Sequence, residues 1–320
     1  MAEPTPILLD VDTGIDDAFA LLFAVRCPDL DLRAVTCVGG NTGVDQVVAN
    51  TRYVLDAAGA PDVPVGRGAA HPLLHDAPDS GAFHGVDGLG GFSRPSDRRT
   101  SPLAAIDLLR HELQSAIANG EPVTLVATGP LTTVALLLRA HPDVAAGIER
   151  IVFMGGSASR GNMTPVAEHN VLHDPEATAI VLAAARDLDI PITMYGLDVF
   201  DLPRIPLDRA GELADRLDPA CQLAAALLRF RGRGEDSAGI GDAGTLCALV
   251  RPEGLTVERL PVTVDTGFGP GRGQTIVDRR PGFVGRSVTD PFSTHWTSVD
   301  VAVAVDATGY ADLWWSTITG

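Results

Sequence analysis

Short apolar runs alternate with amphipathic stretches through much of this chain, and that alternation narrows its fold more than any other feature. Pro6 to Val11 (PILLDV) is a brief apolar run and predicts a buried strand. Asp16 to Val25 predicts the helix after it, and Leu32 to Val38 the second strand. Val44, Val47, Val48, Thr51, Leu55 and Ala58 fall on one helical face, and Gly59 ends that helix. Pro102 to Asn119 predicts a helix with Pro102 in its first turn and Ser101 as its cap. Strands over Val123–Ala127, Ile151–Met154 and Ile192–Tyr195 then alternate with helices over Leu131–Ala140 and Asp174–Arg186. Strand–helix alternation of this kind builds βαβ units: an α/β fold with a mostly parallel central sheet and helices on both faces.

The remainder is less regular. Residues 207 to 230 read as helical, Pro261–Asp265 and Gln274–Val277 as a pair of strands, and Ser298–Val305 as an alternating strand. A short C-terminal helix carries Trp314 and Trp315. Ala70 to Ser101 is rich in Gly, Pro, Asp and His and has no clear period, and loops of that length are commonly functional or mobile. With no low-complexity linker and no internal repeat, residues 1–320 read as one domain, and 45% hydrophobic content supplies a sizeable core.

Charge and composition remove several functions. The formal net charge of -17 repels nucleic-acid backbones and anionic membranes, and favours bound cations. All 24 basic residues are arginine, so chemistry that needs a lysine amine, such as a P-loop or a Schiff base, is excluded. Cys27, Cys37, Cys221 and Cys247 form no C-x-x-C pair, which argues against a zinc site or redox dithiol and for buried free thiols. The N-terminus lacks a basic, then apolar, leader, and no run approaches the roughly 20 apolar residues that span a bilayer. A soluble, cytoplasmic protein is expected.

The sharpest local feature is LLDVDTGIDDA at positions 8 to 18. It sets Asp10, Asp12, Asp16 and Asp17 at the end of the first strand and the start of the first helix. Capping a helix and favouring its dipole accounts for one or two of these carboxylates, not for four. Like charges packed this closely repel one another, and a hard divalent cation relieves the repulsion. In open parallel sheets ligands bind beyond the carboxyl ends of the strands. Asn41, Thr128 and Met154 fall at the ends of later strands, and Asp242 follows a Gly-rich stretch.

These residues carry a family resemblance. Asp10-Val11-Asp12-Thr13-Gly14-Ile15-Asp16-Asp17 resembles the D-x-D-P-G-x-D-D motif of the inosine–uridine nucleoside hydrolases, with Thr13 in place of proline. VGGN ending at Asn41, HGVDGLG from His84, VATGPLT around Thr128 and the stretch from Phe153 to Ala177 match in order, across nearly the whole chain. The resemblance implies a Rossmann-like fold, a ribonucleoside as substrate, and a homodimer or homotetramer. It implies calcium held by Asp12, Asp17, Asp242 and the Thr128 carbonyl, with Asp12 taking a proton from the attacking water. Asp16, Asn41, Asn170 and Asp242 would bind the ring hydroxyls, Asn162 and Glu168 the 5′-hydroxyl, and Met154 would lie against the sugar. His84 is expected among the substrate-binding residues.

One position departs from the family pattern. Many members carry a histidine before the late metal-binding aspartate, where it helps protonate the leaving base; here that residue is Gly241. His84, His169, Arg231, Arg233 and Glu235 are candidate substitutes, and Phe230 is the only aromatic residue in that stretch. Two other readings compete. LLDVDTG also resembles the start of haloacid-dehalogenase-like phosphatases, with Asp10 as nucleophile and magnesium as metal, but those enzymes need a later lysine that this chain lacks. A nucleoside- or ribose-binding protein that keeps the site and has lost catalysis would also tolerate Gly241.

Overall fold

The computed structural model describes residues 3–60, 62–76, 81–280 and 293–320. Eleven strands form among them: β1 (Thr5–Val11), β2 (Leu30–Cys37), β3 (Val65–Arg67), β4 (Val123–Ala127), β5 (Ile148–Met154), β6 (Ile192–Tyr195), β7 (Arg204–Pro206), β8 (Ser237–Gly239), β9 (Leu255–Val264), β10 (Thr275–Val277) and β11 (Thr297–Val305). Nine of them make one sheet in the order β10-β9-β11-β6-β5-β4-β1-β2-β3. Pairing is parallel from β11 through to β3, and β9 lies antiparallel to both of its neighbours. β7 and β8 pair separately.

Helices cover both faces. The chain runs through α1 (Ile15–Arg26), α2 (Val44–Ala58), α3 (Gly81–His84), α4 (Ala105–Asn119), α5 (Thr132–Ala140), α6 (His169–His173) and α7 (Pro175–Asp187). It continues through α8 (Leu197–Phe200), α9 (Arg209–Ala214), α10 (Pro219–Arg231), α11 (Ala243–Val250) and α12 (Ala307–Thr319). Strand β1 shows why the sheet is sandwiched. Ile7, Leu9 and Val11 enter an apolar cluster with α1, α2, α10, α11 and α12, whereas Leu8 enters a second cluster with α4, α5 and α7. A strand buried on both faces needs a continuous apolar run, which PILL provides. Trp314 closes the first cluster edge-on to Phe19, 5.3 Å between ring centroids, and its indole N–H donates to the Phe19 carbonyl.

Several boundaries differ from expectation. Helix α4 begins at Ala105, not Pro102, and Ser101 caps a turn instead, its hydroxyl accepting from the Leu103 N–H at 3.1 Å. The helical stretch at 207–230 is two helices, α9 and α10. Asp218 starts the second, accepting from the Ala220 N–H, with Pro219 at its first position. Asp218 also takes two bonds of 2.6 Å from Arg26 on α1. Strand β9 begins at Leu255, six residues before the expected Pro261, because its polar first half lies on the partner β11 without being buried. Within the long loop, Asp87 accepts from the N–H groups of Leu89, Gly91 and Ser93, and Asn50 grips the Asp87 carbonyl at 2.8 Å. Residues 77–80 of that loop lie outside the described residues. No described helix is long and apolar enough to cross a membrane.

Candidate active site

Strand β1 runs to β2 on one side, and the chain later returns to place β4 on the other. That reversal of strand order opens a crevice beyond the carboxyl ends of β1 and β4, where open parallel sheets bind ligands. Asp12 follows β1, Asn41 follows β2, Thr128 follows β4 and Met154 ends β5. Asp16 and Asp17 open α1, Glu168 caps α6, Asn170 lies in its first turn, and Asp242 stands immediately before α11. The cleft they share has a cavity volume of about 200 Å³ and opens to solvent. Asp12, Asp16, Asn41, His84, Thr128, Met154, Asn162, Glu168, Asn170 and Asp242 all line it. Asp17 stands just behind them.

The polar contacts are dense. Asp12 Oδ2 accepts from the Asn41 backbone N–H at 2.8 Å. Asp17 accepts the Thr128 hydroxyl at 2.6 Å, the Gly14 N–H at 2.9 Å and the Asn41 amide at 3.4 Å. Asn170 Nδ2 donates to the carbonyls of Thr128 (2.7 Å) and Met154 (3.1 Å). Glu168 collects the backbone N–H groups of Gly156, Asn170 and Val171. Asn162 is exposed at the rim, its side-chain oxygen accepting from the His169 N–H at 3.0 Å. Gly14 has an ordinary φ of -96°, so the turn itself does not demand glycine. Space does: a β-carbon there would lie 2.6 Å from His84 Nδ1 and 2.7 Å from the Asn41 amide nitrogen.

Buried carboxylates this close raise one another's pKa. Burial and the neighbouring Asp17 hold Asp12 well above the usual carboxylate range. Burial, then repulsion from Asp17, Asp16 and Asp12, does the same to Asp242. Burial also raises Asp17, against the hydrogen bonds from Thr128 and Gly14. Among the described residues no three carboxylate, imidazole or thiol groups already stand as a ligand cage. The candidate oxygens are instead engaged by protein donors: Thr128 and Gly14 hold Asp17, Asn41 holds Asp12, and Asn170 holds the Thr128 carbonyl. The donor set still suits a hard divalent cation, being oxygen-only and carrying three mutually repelling carboxylates.

The structure sorts the remaining candidates. His84 is buried rather than a loose surface residue, and burial pushes its imidazole down to about 4. Its Nδ1 accepts the Ile15 N–H at 3.1 Å, so at neutral pH it is a neutral ring with one nitrogen already engaged. Glu235 is exposed and pairs with Arg204. Arg233 stacks on Phe230, 3.4 Å from the ring centroid, and neither lines the cleft. His169 and Arg231 do line it. Asp10 does not. It is fully buried, accepts the Thr36 hydroxyl at 2.6 Å, and is pushed up to about 7 by burial and by Asp17. A buried side chain outside the cleft cannot serve as a phosphatase nucleophile. The sequence reading missed Phe83, Met163, Phe200 and Asp201 as lining residues. Phe200 and Asp201 follow β6, and the rule that ligands gather beyond strand ends points to them.

The model of the inosine-uridine preferring nucleoside hydrolase family matches residues 7–312. A pyrimidine-specific ribonucleoside hydrolase, RihA, of Photobacterium profundum is 38% identical over 282 residues, covering 86% of this chain and 89% of that one. A non-specific ribonucleoside hydrolase, RihC, of Klebsiella pneumoniae is 39% identical over 277 residues, covering 85% and 88%. The structure of a purine-preferring ribonucleoside hydrolase from Gardnerella vaginalis superposes with a TM-score of 0.85 at 28% identity, covering 99% and 98%. The names of these three proteins span three different base preferences.

Proposed function

Because the chain belongs to the inosine–uridine preferring nucleoside hydrolase family, we propose that it hydrolyses the N-glycosidic bond of ribonucleosides to free base and ribose, with Asp12 as general base. The observation that carries this reading is the gathering of Asp12, Asp16, Asp242, Glu168 and Asn170 around one cleft at the strand-order reversal. Breaking the bond puts positive charge on the ribose, as in other glycoside hydrolyses. A wall of carboxylates stabilises that charge where it develops.

Each group has a task in this scheme. Asp12 Oδ2 is already fixed by the Asn41 N–H, which aims the carboxylate into the cleft to accept a proton from the water attacking C1′. Asp16, Asn41, Asn170 and Asp242 bind the 2′- and 3′-hydroxyls. Two hydroxyls gripped by buried polar groups favour ribose over deoxyribose, since the missing partner leaves those groups unpaired. Glu168 and Asn162 take the 5′-hydroxyl, and Met154 lies against the sugar. Asp12, Asp17, Asp242 and the Thr128 carbonyl would hold calcium. When bound, the ion supplies positive charge that offsets the carboxylate repulsion, orients the sugar and makes water easier to deprotonate. All four cysteines are free and buried, which supports a reducing, cytoplasmic setting.

Incubation with a panel of ribonucleosides, followed by measurement of free ribose, tests the proposal. Release of ribose from at least one nucleoside, and none from its 2′-deoxy analogue, is expected. Tight ribose binding with no release from any nucleoside would instead make the protein a binder.

A further inference from the structure

The family's usual leaving-group histidine has no room in this chain. Gly241 has a φ of +52°, and a β-carbon there would lie 2.9 Å from Asp16 Cβ, Asp16 Cγ and Phe200 Cζ. Arg231, the last residue of α10, touches the same two residues, Asp16 and Phe200. One guanidinium nitrogen of Arg231 is ion-paired with Asp16, and the other donates to Asp201 Oδ1 at 3.0 Å. The guanidinium carbon sits 5.6 Å from the Phe200 ring centroid, against the ring that closes off Gly241. The side chain is 19% exposed and lines the cleft. A guanidinium carries five N–H donors, so two ion pairs leave donors over for a ligand.

The neighbouring imidazoles each have one ring nitrogen engaged, and His169 Nε2 has no hydrogen-bond partner among the described residues. His84 is neutral and has its Nδ1 engaged by Ile15, and His169 Nδ1 is paired with Asn170 Oδ1 at 3.2 Å. Arg231, by contrast, is a fixed cation that does not give up its proton.

We propose that Arg231 stabilises the departing base, and that this enzyme accordingly favours ribonucleosides whose base leaves as an anion with its charge on a ring carbonyl oxygen. The inference rests on the hydrolase reading above. As the C1′–N bond breaks, its electron pair goes to the base nitrogen and spreads onto the carbonyl oxygen, which accepts N–H bonds from Arg231. Water adds to C1′ and gives its proton to Asp12, and the released base anion takes a proton from solvent. Uridine should outrun cytidine, and inosine should outrun adenosine, because uracil and hypoxanthine form the more stable ring-nitrogen anions.

The test compares uridine with p-nitrophenyl β-D-ribofuranoside, whose phenolate leaves without help. Arg231→Gln should lower kcat/KM for uridine by about 10²- to 10³-fold, the scale of a lost oxyanion donor. The same variant should lose less than about tenfold on the aryl riboside, where little leaving-group assistance is needed. Equal losses on both substrates would overturn the proposal, since Arg231 would then act only by holding Asp16. Wild type turning over cytidine as fast as uridine would overturn the anion preference. Wild type cleaving neither nucleoside nor aryl riboside would instead sink the hydrolase reading itself. Should the Gln variant lose its cooperative melt, Arg231→Lys keeps the charge and decides the matter: a loss selective for uridine supports the role, and an equal loss refutes it.

Discussion

Replacing Gly241 by alanine should weaken the fold and the sugar site together. Two effects add. A residue other than glycine in the left-handed region is disfavoured by about 1–2 kcal/mol, and Gly241 has a φ of +52°. The new methyl would meet three atoms of Asp16 and Phe200 at 2.9 Å, and forcing a group into a filled site costs about 1–3 kcal/mol more. The sum is about 2–5 kcal/mol. With an unfolding entropy of about 2.1 cal/mol/K per residue over 320 residues, Tm should fall by roughly 3–7 °C. Gly59 supplies the control. Its φ is +73°, and a β-carbon there would have nothing within 4 Å, so Gly59→Ala carries the backbone effect alone, roughly 2–3 °C. Thermal melts of the two variants in one buffer, with KM for uridine measured alongside, make the comparison. Gly241→Ala should melt below Gly59→Ala and raise KM, because Asp16 is displaced. Equal melting temperatures with unchanged KM would refute the crowding argument and with it the reason for a glycine at that place.

Other outcomes are expected. Asp12→Asn should lower kcat by about 10²- to 10⁴-fold, the usual worth of a general base, while its melt stays cooperative; near-normal turnover would show the base is misassigned. Chelation should abolish ribose release and added calcium restore it, and full activity in metal-free protein would remove the cation from the scheme. Asp10→Asn should stabilise the chelated protein more at pH 8 than at pH 5. Burial holds the folded Asp10 near 7 against an ordinary 3.8, so its contribution is lost as pH rises through 7. The gain between the two pH values comes to about 3 kcal/mol. Urea midpoints at both pH values check it, and an equal gain at each would show that Asp10 does not titrate in that window.

The parts of this molecule written locally were legible in the sequence. The PILLDV run could only be a strand covered on both faces, and the spacing from Val44 to Ala58 put one apolar stripe on α2. The aspartates at 10 to 17 announced a charged rim, because nothing in a local fold explains four of them. What escaped was long-range or volumetric. Arg231 reaches Asp16 across 215 positions, so no window of sequence pairs them. Asn170 holds the Thr128 carbonyl from 42 positions away, and the choice of that acceptor depends on where β4 and α6 end in space. The helix break at 215–218 was masked by the flanking residues' own helix propensity, which the Asp218–Pro219 cap overrode. Asp10 and Asp12 look equivalent on paper, yet one is sealed in the core beneath Thr36 and the other opens to the cleft.

That difference has a consequence for how the gene can change. Strand β1 advances about 3.3 Å per residue and alternates its faces. Ile7, Leu9 and Val11 are committed to one oily layer and Leu8 to the other. Inserting or deleting one codon inside β1 would therefore invert the side chains on one side of the change, or slide Asp12 off the rim. The stretch between residues 7 and 12 should tolerate conservative swaps but no change of length. Altered appetites for different bases must then arise through remodelling of the surrounding loops.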